Sequence, residues 1–429
     1  MMKMMNLRDT GELGMRVKNN ALYAAIMLAL VGTPAISAAA TFIQCPGDVN
    51  GDAIIDIVDP ARKVKCLHFT GGDGFTTMAD GKTLYTFGFG NVTGMPAADV
   101  MTKGILRAEF PGPSIVMDEG DELYLTLSNT GLINRPDLFD PHTVHYHGFP
   151  NASSYFDGVP ENTTSINMGG SFTYYYNQKR PGTYMYHCHV EATEHMQMGM
   201  LANLYVNPRQ NGTAFSYTNE FGIAKNYTQF VYNDGDGSTG YDVGFPIQLA
   251  GFDPVFHDAS INVQPLPFAK MYDTYPLMNG RGYPDTVNTA PLAPPMEDGK
   301  PLNGNVFDPA NPGVNSQVMS SLITATKGER ILVRLSSLSV SEVYTMSVQG
   351  LPLQVVGKGA GQLKGPNGDK LYYNTSTITL AGGEAKDVMI DTSDPNVKPG
   401  TYYLYTTNLK YLSNNTEDFG GLMTEIVIN

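Results

Sequence analysis

Cysteine and charge are scarce in this sequence, and tryptophan is absent. Its 429 residues include three cysteines, too few for a multi-disulfide scaffold or a four-thiolate zinc site. Charged residues make up 16%, and 41 acidic residues against 27 basic ones give a net charge of −14. Such a chain repels phosphate backbones, so we expect no nucleic-acid partner. The 42% of hydrophobic residues suffices for folded cores.

The N-terminus has the layout of an export signal. Arg16 and Lys18 precede an apolar run at 21–31, and small residues follow at 35–40. This order predicts a signal peptide over residues 1–40 and export to the periplasm or the extracellular space. The alternative is an uncleaved anchor, although the run is short for a membrane span. In an oxidising compartment Cys45 and Cys66 are able to pair, but the sequence equally allows two unpaired thiols.

Residues 41–75 are predicted to be a short lead-in with the oxygen spacing of a calcium loop. A hard cation needs several oxygens from one tight turn, and the segment resembles a dockerin-type calcium loop. It departs from that pattern at Ala53, where the turn favours glycine, and in ending on Asp where Glu is usual. The segment therefore predicts either a calcium site or a plain acidic turn. The candidate calcium ligands are Asp48, Asn50, Asp52, Asp56 and Asp59.

The remainder has the pattern of an all-β protein. Turns are expected to be frequent, because the chain has 46 glycines and 28 prolines. They separate short apolar or aromatic runs that are typical of strands. A Gly-Thr-Tyr pattern at 182–186 recurs at 400–405, which indicates two similar halves. We therefore predict two tandem β-sandwiches, at 76–208 and 215–429.

Six of the eight histidines lie between residues 142 and 195, in two clusters. Side chains alternate between the two faces of a strand. The two histidines that flank Cys188 therefore lie on one face, and the cysteine lies on the other. The first cluster divides in the same way, because one of its three histidines has the opposite parity. We predict two metal sites back to back, with His142, Cys188, His195 and Met200 in site one and His145, His147, His187 and His189 in site two.

These donor sets favour copper. Two imidazoles, a thiolate and a distant thioether form a blue-copper centre, whereas four neutral imidazoles suit copper or zinc. Zinc at the Cys/His site is the nearest alternative, and ordinary histidines around a buried free cysteine are another. Since Cys188 is covalently joined to His187 and His189, we expect these three catalytic residues to carry electrons from site one to site two.

With these motifs the sequence resembles the multicopper oxidases over residues 76–429. Supporting segments are 110–121, the Asp-Gly-Val-Pro run at 157–160, and 276–284. The resemblance implies cupredoxin-like Greek-key sandwiches, a type 1 copper at site one, and half of a trinuclear copper cluster at site two. It also implies a small electron donor, such as a phenol or a metal ion, or a redox protein, with dioxygen as the acceptor.

The second half departs from the family pattern because it contains only one histidine, His257. A full trinuclear cluster in this family uses eight histidines, so we expect the second sandwich to be copper-free. Three solutions remain open. Two first sandwiches pool their histidines in a homo-oligomer, a separate protein supplies the rest, or site two holds only one or two coppers.

Two other functions follow from the same residues. A copper nitrite reductase takes two histidines from one subunit and one from its neighbour. His147 and His187 fit the first pair and His257 is a candidate for the third, but His145 stands where those enzymes place an acid. A non-enzymatic blue-copper electron carrier or copper-binding protein is the other alternative. The leading prediction is an exported copper oxidase.

Overall fold

The computed structural model describes residues 43–149 and 153–429, so the predicted signal peptide lies outside the described part of the chain. Strands dominate the fold. Within the described ranges, no helix is long and apolar enough to cross a bilayer. The α-helices in these ranges are α1 (Ala97–Lys103), α2 (Ala192–Gln197) and α3 (Pro254–Ile261).

The strands of the first sandwich are β1 (Val64–Thr77), β2 (Thr83–Asn91), β3 (Ile115–Asp118), β4 (Glu122–Gly131), β5 (His145–His147), β6 (Ser171–Asn177), β7 (Gly182–His187) and β8 (Leu201–Asn207). They form two four-stranded sheets, with the orders β2-β1-β4-β6 and β3-β8-β7-β5. Alternate residues of β4, namely Leu123, Leu125 and Leu127, are fully buried in the core between the sheets. This period of two is what places side chains of one parity in the core.

The second half of the chain contains β9 (Phe215–Thr218), β10 (Ala224–Tyr227), β11 (Val243–Phe252), β12 (Tyr275–Met278), β13 (Met296–Glu297), β14 (Lys300–Pro301), β15 (Ile323–Ala325), β16 (Arg330–Ser337), β17 (Tyr344–Val348), β18 (Leu353–Lys358), β19 (Gly361–Gln362), β20 (Tyr373–Thr375), β21 (Thr377–Leu380), β22 (Glu384–Asp391), β23 (Gly400–Thr406) and β24 (Met423–Ile428). A seven-stranded sheet has the order β12-β11-β16-β22-β18-β19, with β20 also on β18, and it faces a five-stranded sheet of order β15-β24-β23-β17-β21. The prediction of an all-β protein with two tandem sandwiches is confirmed.

The predicted start of the first sandwich at residue 76 is wrong. β1 begins at Val64, pairs in parallel with β4 and in antiparallel with β2, and so belongs to the sandwich. Its glycines suggest a loop, but they serve close packing: a Cβ on Gly71 would lie 2.8 Å from the ring of His142. The separate lead-in is therefore shorter than predicted, and a Cys45–Cys66 disulfide with Cα atoms 5.8 Å apart ties it to β1.

The predicted calcium loop is closed by hydrogen bonds to its own backbone. The Asp48 carboxylate accepts the N–H groups of Gly51 at 2.7 Å and Ala53 at 2.8 Å, and Asp56 accepts that of Val49 at 2.8 Å. Ala53 adopts φ 65°, the conformation for which glycine was expected. Among the described residues, the carboxylates of this loop do not form a convergent group of three. Calcium stays a prediction.

The two sandwiches meet along β7, which packs against β16 and β22. Apolar side chains of both halves form a shared cluster there, including Met185 and Leu338. A buried polar contact accompanies it, because the Asp387 carboxylate accepts the hydroxyls of Thr183 at 2.6 Å and Tyr232 at 2.5 Å. The second sandwich therefore lies against the strand that leads to the cysteine.

Candidate metal centres

Site one forms where the chain leaves β7 and returns to the sheet as β8. Cys188 directly follows β7, and its N–H donates to the Met200 carbonyl at 3.1 Å. The intervening segment is the short helix α2, which carries His195. A Cβ on Gly199 would lie 2.8 Å from the carbonyl oxygen of Phe87, and its φ of 115° also favours glycine. This tight return brings His195 and Met200 back beside the cysteine.

The ligand atoms of His142, Cys188 and His195 lie within 4.8 Å of one another, and all three side chains are fully buried. His195 Nδ1 is 3.1 Å from Cys188 Sγ, and the Thr143 N–H is 3.4 Å from the same sulfur. Burial disfavours both charged forms, but the attraction between cysteine and histidine is stronger. It lowers the pKa of the Cys188 thiol well below its usual value and raises the pKa of His195 to about 10. The sulfur is therefore a thiolate, the form that binds metals.

Among the described residues, neither buried ring nitrogen of His142 has a hydrogen-bond partner. Leaving a buried polar atom unpaired costs about 1–3 kcal/mol. A cation between the imidazoles and the thiolate would relieve part of this cost. Two imidazoles and a thiolate are also the ligands of blue-copper sites, so the residues of site one fit copper.

Site two lies on β5 and β7, on the face directed toward the second sandwich. The two strands pair in antiparallel, with His145 opposite His187 and His147 opposite Met185. Alternation then gathers three imidazoles on one face, and their ligand atoms lie within 4.8 Å of one another. His147 Nε2 and His187 Nε2 are 3.0 Å apart.

Two backbone carbonyl groups fix the tautomers of two imidazoles in this group. His145 Nδ1–H donates to the Asp157 carbonyl at 2.7 Å, and His187 Nδ1–H donates to the Cys188 carbonyl at 2.7 Å. The Nε2 atom of each of these two rings then has a lone pair available to a metal ion. Burial lowers the pKa of all three imidazoles, to about 4 for His147 and about 3 for His187. The rings are thus neutral near pH 7, as metal binding requires.

Two of the predicted ligands lie beside these groups. His189 follows the end of β7, so strand alternation does not fix its side chain, and it is not part of the three-imidazole group. Its ring is 5.0 Å from that of His145 and 5.7 Å from that of His187. Met200 is fully buried, and its N–H donates to the His195 carbonyl at 2.8 Å. The backbone therefore holds Met200 at site one.

His257 is not available to a neighbouring subunit, so that interpretation is wrong. The side chain is fully buried, with Nδ1 2.5 Å from the Tyr85 carbonyl and Nε2 3.0 Å from the Gln197 carbonyl. It joins α3 to the first sandwich. Its role in the structure is internal packing.

A cavity of about 510 Å³ lies in front of site two. Imidazoles of site two line one side, and residues 338–343 and 381–383 of the second sandwich line the other. A Cβ on Gly383 would lie 3.1 Å from His147 Cε1, so this wall touches the ring. Among the described residues that line the cavity, Glu342 is the only acidic one, and its carboxylate accepts the hydroxyl of Tyr411.

Two acidic residues near the sites were not predicted as functional. Asp140 Oδ2 lies 3.9 Å from His195 Nε2, and its side chain is 18% exposed while the histidine is fully buried. The backbone carbonyl of Asp157 orients His145. The available signal for Asp140 was its position two residues before His142, and for Asp157 its position at the start of the Asp-Gly-Val-Pro run. Sequence alone does not reveal which backbone carbonyl meets which ring.

Two family models, each described as multicopper oxidase, match residues 95–211 and 270–429. Together they cover more than half of the chain, which belongs to the multicopper oxidase family.

Individual relatives agree with this assignment. Multicopper oxidase MCE of Talaromyces pinophilus is 34% identical over 108 residues, covering 25% of this chain and 16% of the relative. Putative laccase-17 of Oryza sativa subsp. japonica is 24% identical over 305 residues, covering 70% of this chain and 42% of the relative. The chain thus spans less than half of these curated relatives. The blue copper oxidase of Nitrosomonas europaea has a similar fold, with a TM-score of 0.58, 20% identity and 86% of each chain covered.

Proposed function

We propose that this chain is an exported copper-dependent oxidase that takes single electrons from a small donor and passes them to dioxygen. The observation that carries the proposal is the direct connection between the two sites. Cys188 of site one and His187 of site two are neighbours in the chain, and His187 Nδ1–H also donates to the Cys188 carbonyl at 2.7 Å. Bound copper would supply one-electron redox chemistry at both sites.

The donor side of the molecule is the surface near Asp140. The four side chains of site one are fully buried, so a donor does not reach the sulfur directly. Asp140 is partly exposed and lies 3.9 Å from His195 Nε2. The donor therefore gives up its electron near Asp140, and His195 conducts it inward. A phenol or a reduced metal ion suits this acidic entrance.

The acceptor side is the cavity in front of site two. Its volume of about 510 Å³ is ample for dioxygen. The Glu342 carboxylate on the opposite wall repels anions, which favours neutral dioxygen over nitrite. The imidazoles of His145 and His187 keep the Nε2 lone pair free for a metal, because their Nδ1–H groups donate to backbone carbonyls.

Oxygen uptake by the copper-loaded protein tests this function. We expect uptake with a phenolic or ferrous donor, together with a visible thiolate-to-copper absorption band. Cys188→Ser removes that band and lowers the rate of oxygen uptake at least about 100-fold. Removing a residue that only hydrogen-bonds to a metal ligand costs about 10–100-fold, so loss of the ligand itself should cost at least the upper value. The exposed-surface variant Asp258→Asn is the control and keeps both band and rate.

Three outcomes would contradict the proposal. Copper-loaded protein that consumes no oxygen with any donor is not an oxidase. Nitric oxide formation from nitrite and a reduced donor, without oxygen uptake, identifies a nitrite reductase. A single blue copper per chain without turnover identifies an electron carrier.

A further inference from the structure

The placement of every histidine limits how site two can be completed. The sequence contains eight histidines, and six of them belong to or border the two metal sites. The other two are buried elsewhere. His68 Nε2 lies 2.8 Å from Ser128 Oγ, and both ring nitrogens of His257 contact backbone carbonyls. A second copy of the chain therefore has no spare imidazole on its second sandwich to offer.

Among copies of this chain, the remaining route to eight imidazoles is a face-to-face pairing of two first sandwiches. Metal–imidazole bonds are about 2 Å long, so the two histidine faces would have to approach within a few ångströms. Residues 338–343 and 381–383 of the same chain already occupy the opposite side of the cavity. The wall touches His147, because a Cβ on Gly383 would lie 3.1 Å from that ring. The chain thus blocks its own histidine face.

The second-sandwich wall does not replace the missing ligands. Within the described part of the chain, the one ionisable residue of this wall is Glu342, whose carboxylate already accepts the Tyr411 hydroxyl. The Glu342 N–H donates to Ser339 Oγ at 3.1 Å, which fixes this turn of the wall. An eight-imidazole trinuclear cluster therefore does not fit the residues of this chain, either alone or in a pair.

The residues of site two fit a smaller metal centre. His145, His147 and His187 bring their ligand atoms within 4.8 Å of one another. Three protein ligands with a remaining position open to a cavity is the arrangement of catalytic metal sites that bind substrate or water. His189 borders the group but lies outside it.

We propose that site two is a mononuclear copper site held by His145, His147 and His187, so that the chain carries one copper at each of its two sites. The homo-oligomer predicted to complete the cluster is not required. The inference rests on the copper chemistry proposed above but not on turnover, so a chain that binds copper without oxidase activity still satisfies it.

Copper counting on the purified full-length chain tests the stoichiometry. After loading with cupric ion and removal of loose metal by a chelator, elemental analysis is expected to give one copper for each of the two sites. Spin resonance should detect all of it, because no coupled copper pair is present to silence the signal. Light scattering on the same sample gives the oligomeric state. The number of copper ions per chain should not depend on that state.

Single variants assign each copper. His147→Ala should lose the site-two copper and keep the visible thiolate band, which also reports that the variant is folded. Cys188→Ala should lose the band and keep the site-two signal. His68→Gln removes a histidine outside both sites and should keep both coppers. More than one copper at site two, or a spin-silent fraction in the oxidised protein, overturns the proposal.

Discussion

At the scale of single residues, Asp140 is the group whose effect on site one is simplest to isolate. Its carboxylate lies 3.9 Å from His195 Nε2, while Nδ1 of the same ring lies 3.1 Å from the cysteine sulfur. A carboxylate at that position keeps the proton on Nε2 and leaves Nδ1 for the metal. We expect Asp140→Asn to weaken copper binding at site one by about 10–100-fold. Competition with a copper chelator, followed through the visible band, measures this.

Asp137→Asn is the matched control for that change. Asp137 lies on the same loop but pairs with Arg135, and its side chain is 52% exposed. It should leave copper affinity unchanged. Equal losses in the two variants would mean that the loop matters only as a structural unit.

The residues in and around the two metal sites also show where sequence reasoning succeeds and why. His145 and His147 lie in a true strand, so the period of two assigns them to one face correctly. His189 lies beyond the end of β7, where that rule has no force. Asp140 acts across space on a residue 55 positions away in the chain, a contact that no local pattern contains.

At the scale of the elements, the turn at 157–158 holds one ligand of site two. The carbonyl of Asp157 accepts His145 Nδ1–H at 2.7 Å. Gly158 follows with φ 82°, and a Cβ there would lie 2.1 Å from the Val144 carbonyl oxygen. We expect Gly158→Ala to push the turn away from β5. Copper affinity at site two should fall by about 10–100-fold, with about 1–3 kcal/mol of stability lost to overpacking.

Gly81→Ala provides a control with almost the same backbone cost. Gly81 has φ 83°, but a Cβ there would meet no atom within 4 Å. It should lose only about 1 kcal/mol, from backbone conformation, and keep its copper at site two. Denaturant unfolding and copper titration of both variants separate the two effects. If both variants lose copper equally, the clash at residue 158 is not the cause.

The sequence predicted the type of secondary structure correctly but misplaced the start of the first sandwich. The alternating apolar residues of β4 indicate a strand with one face buried. The glycines of β1 instead resemble a loop, and the predicted boundary at 76 left most of β1 outside the first sandwich. Their reason is three-dimensional, because Gly71 makes room for His142. The cavity wall at 338–343 likewise could not be predicted from the sequence, because it depends on how the second sandwich packs against β7.

At the scale of the whole molecule, Asp273 links the two sandwiches through its two oxygens. One accepts the Gln197 amide of α2 at 3.1 Å, and the other accepts the Ser341 hydroxyl on the cavity wall at 2.8 Å. The carboxyl is 1% exposed. Burial raises its pKa from 3.8 to about 6, and nearby acidic groups, Glu342 and Asp253, add to the effect. This acid is thus more easily protonated in the folded protein than in the unfolded chain.

The stability of the molecule should therefore fall as the pH rises from about 4 to about 6. In that window the folded state holds a proton on Asp273 that the unfolded state has released, so raising the pH favours unfolding. A shift of this size corresponds to about 3 kcal/mol. Asp273→Asn cannot titrate, so it should lose this component of the pH dependence while keeping a hydrogen-bonding side chain between the sandwiches. Denaturant unfolding at fixed ionic strength, at several pH values from 4 to 7, measures the difference in slope. Asp258→Asn, which removes only an exposed ion pair with Lys82, should keep the wild-type slope; identical slopes in all three proteins would place the pH dependence elsewhere.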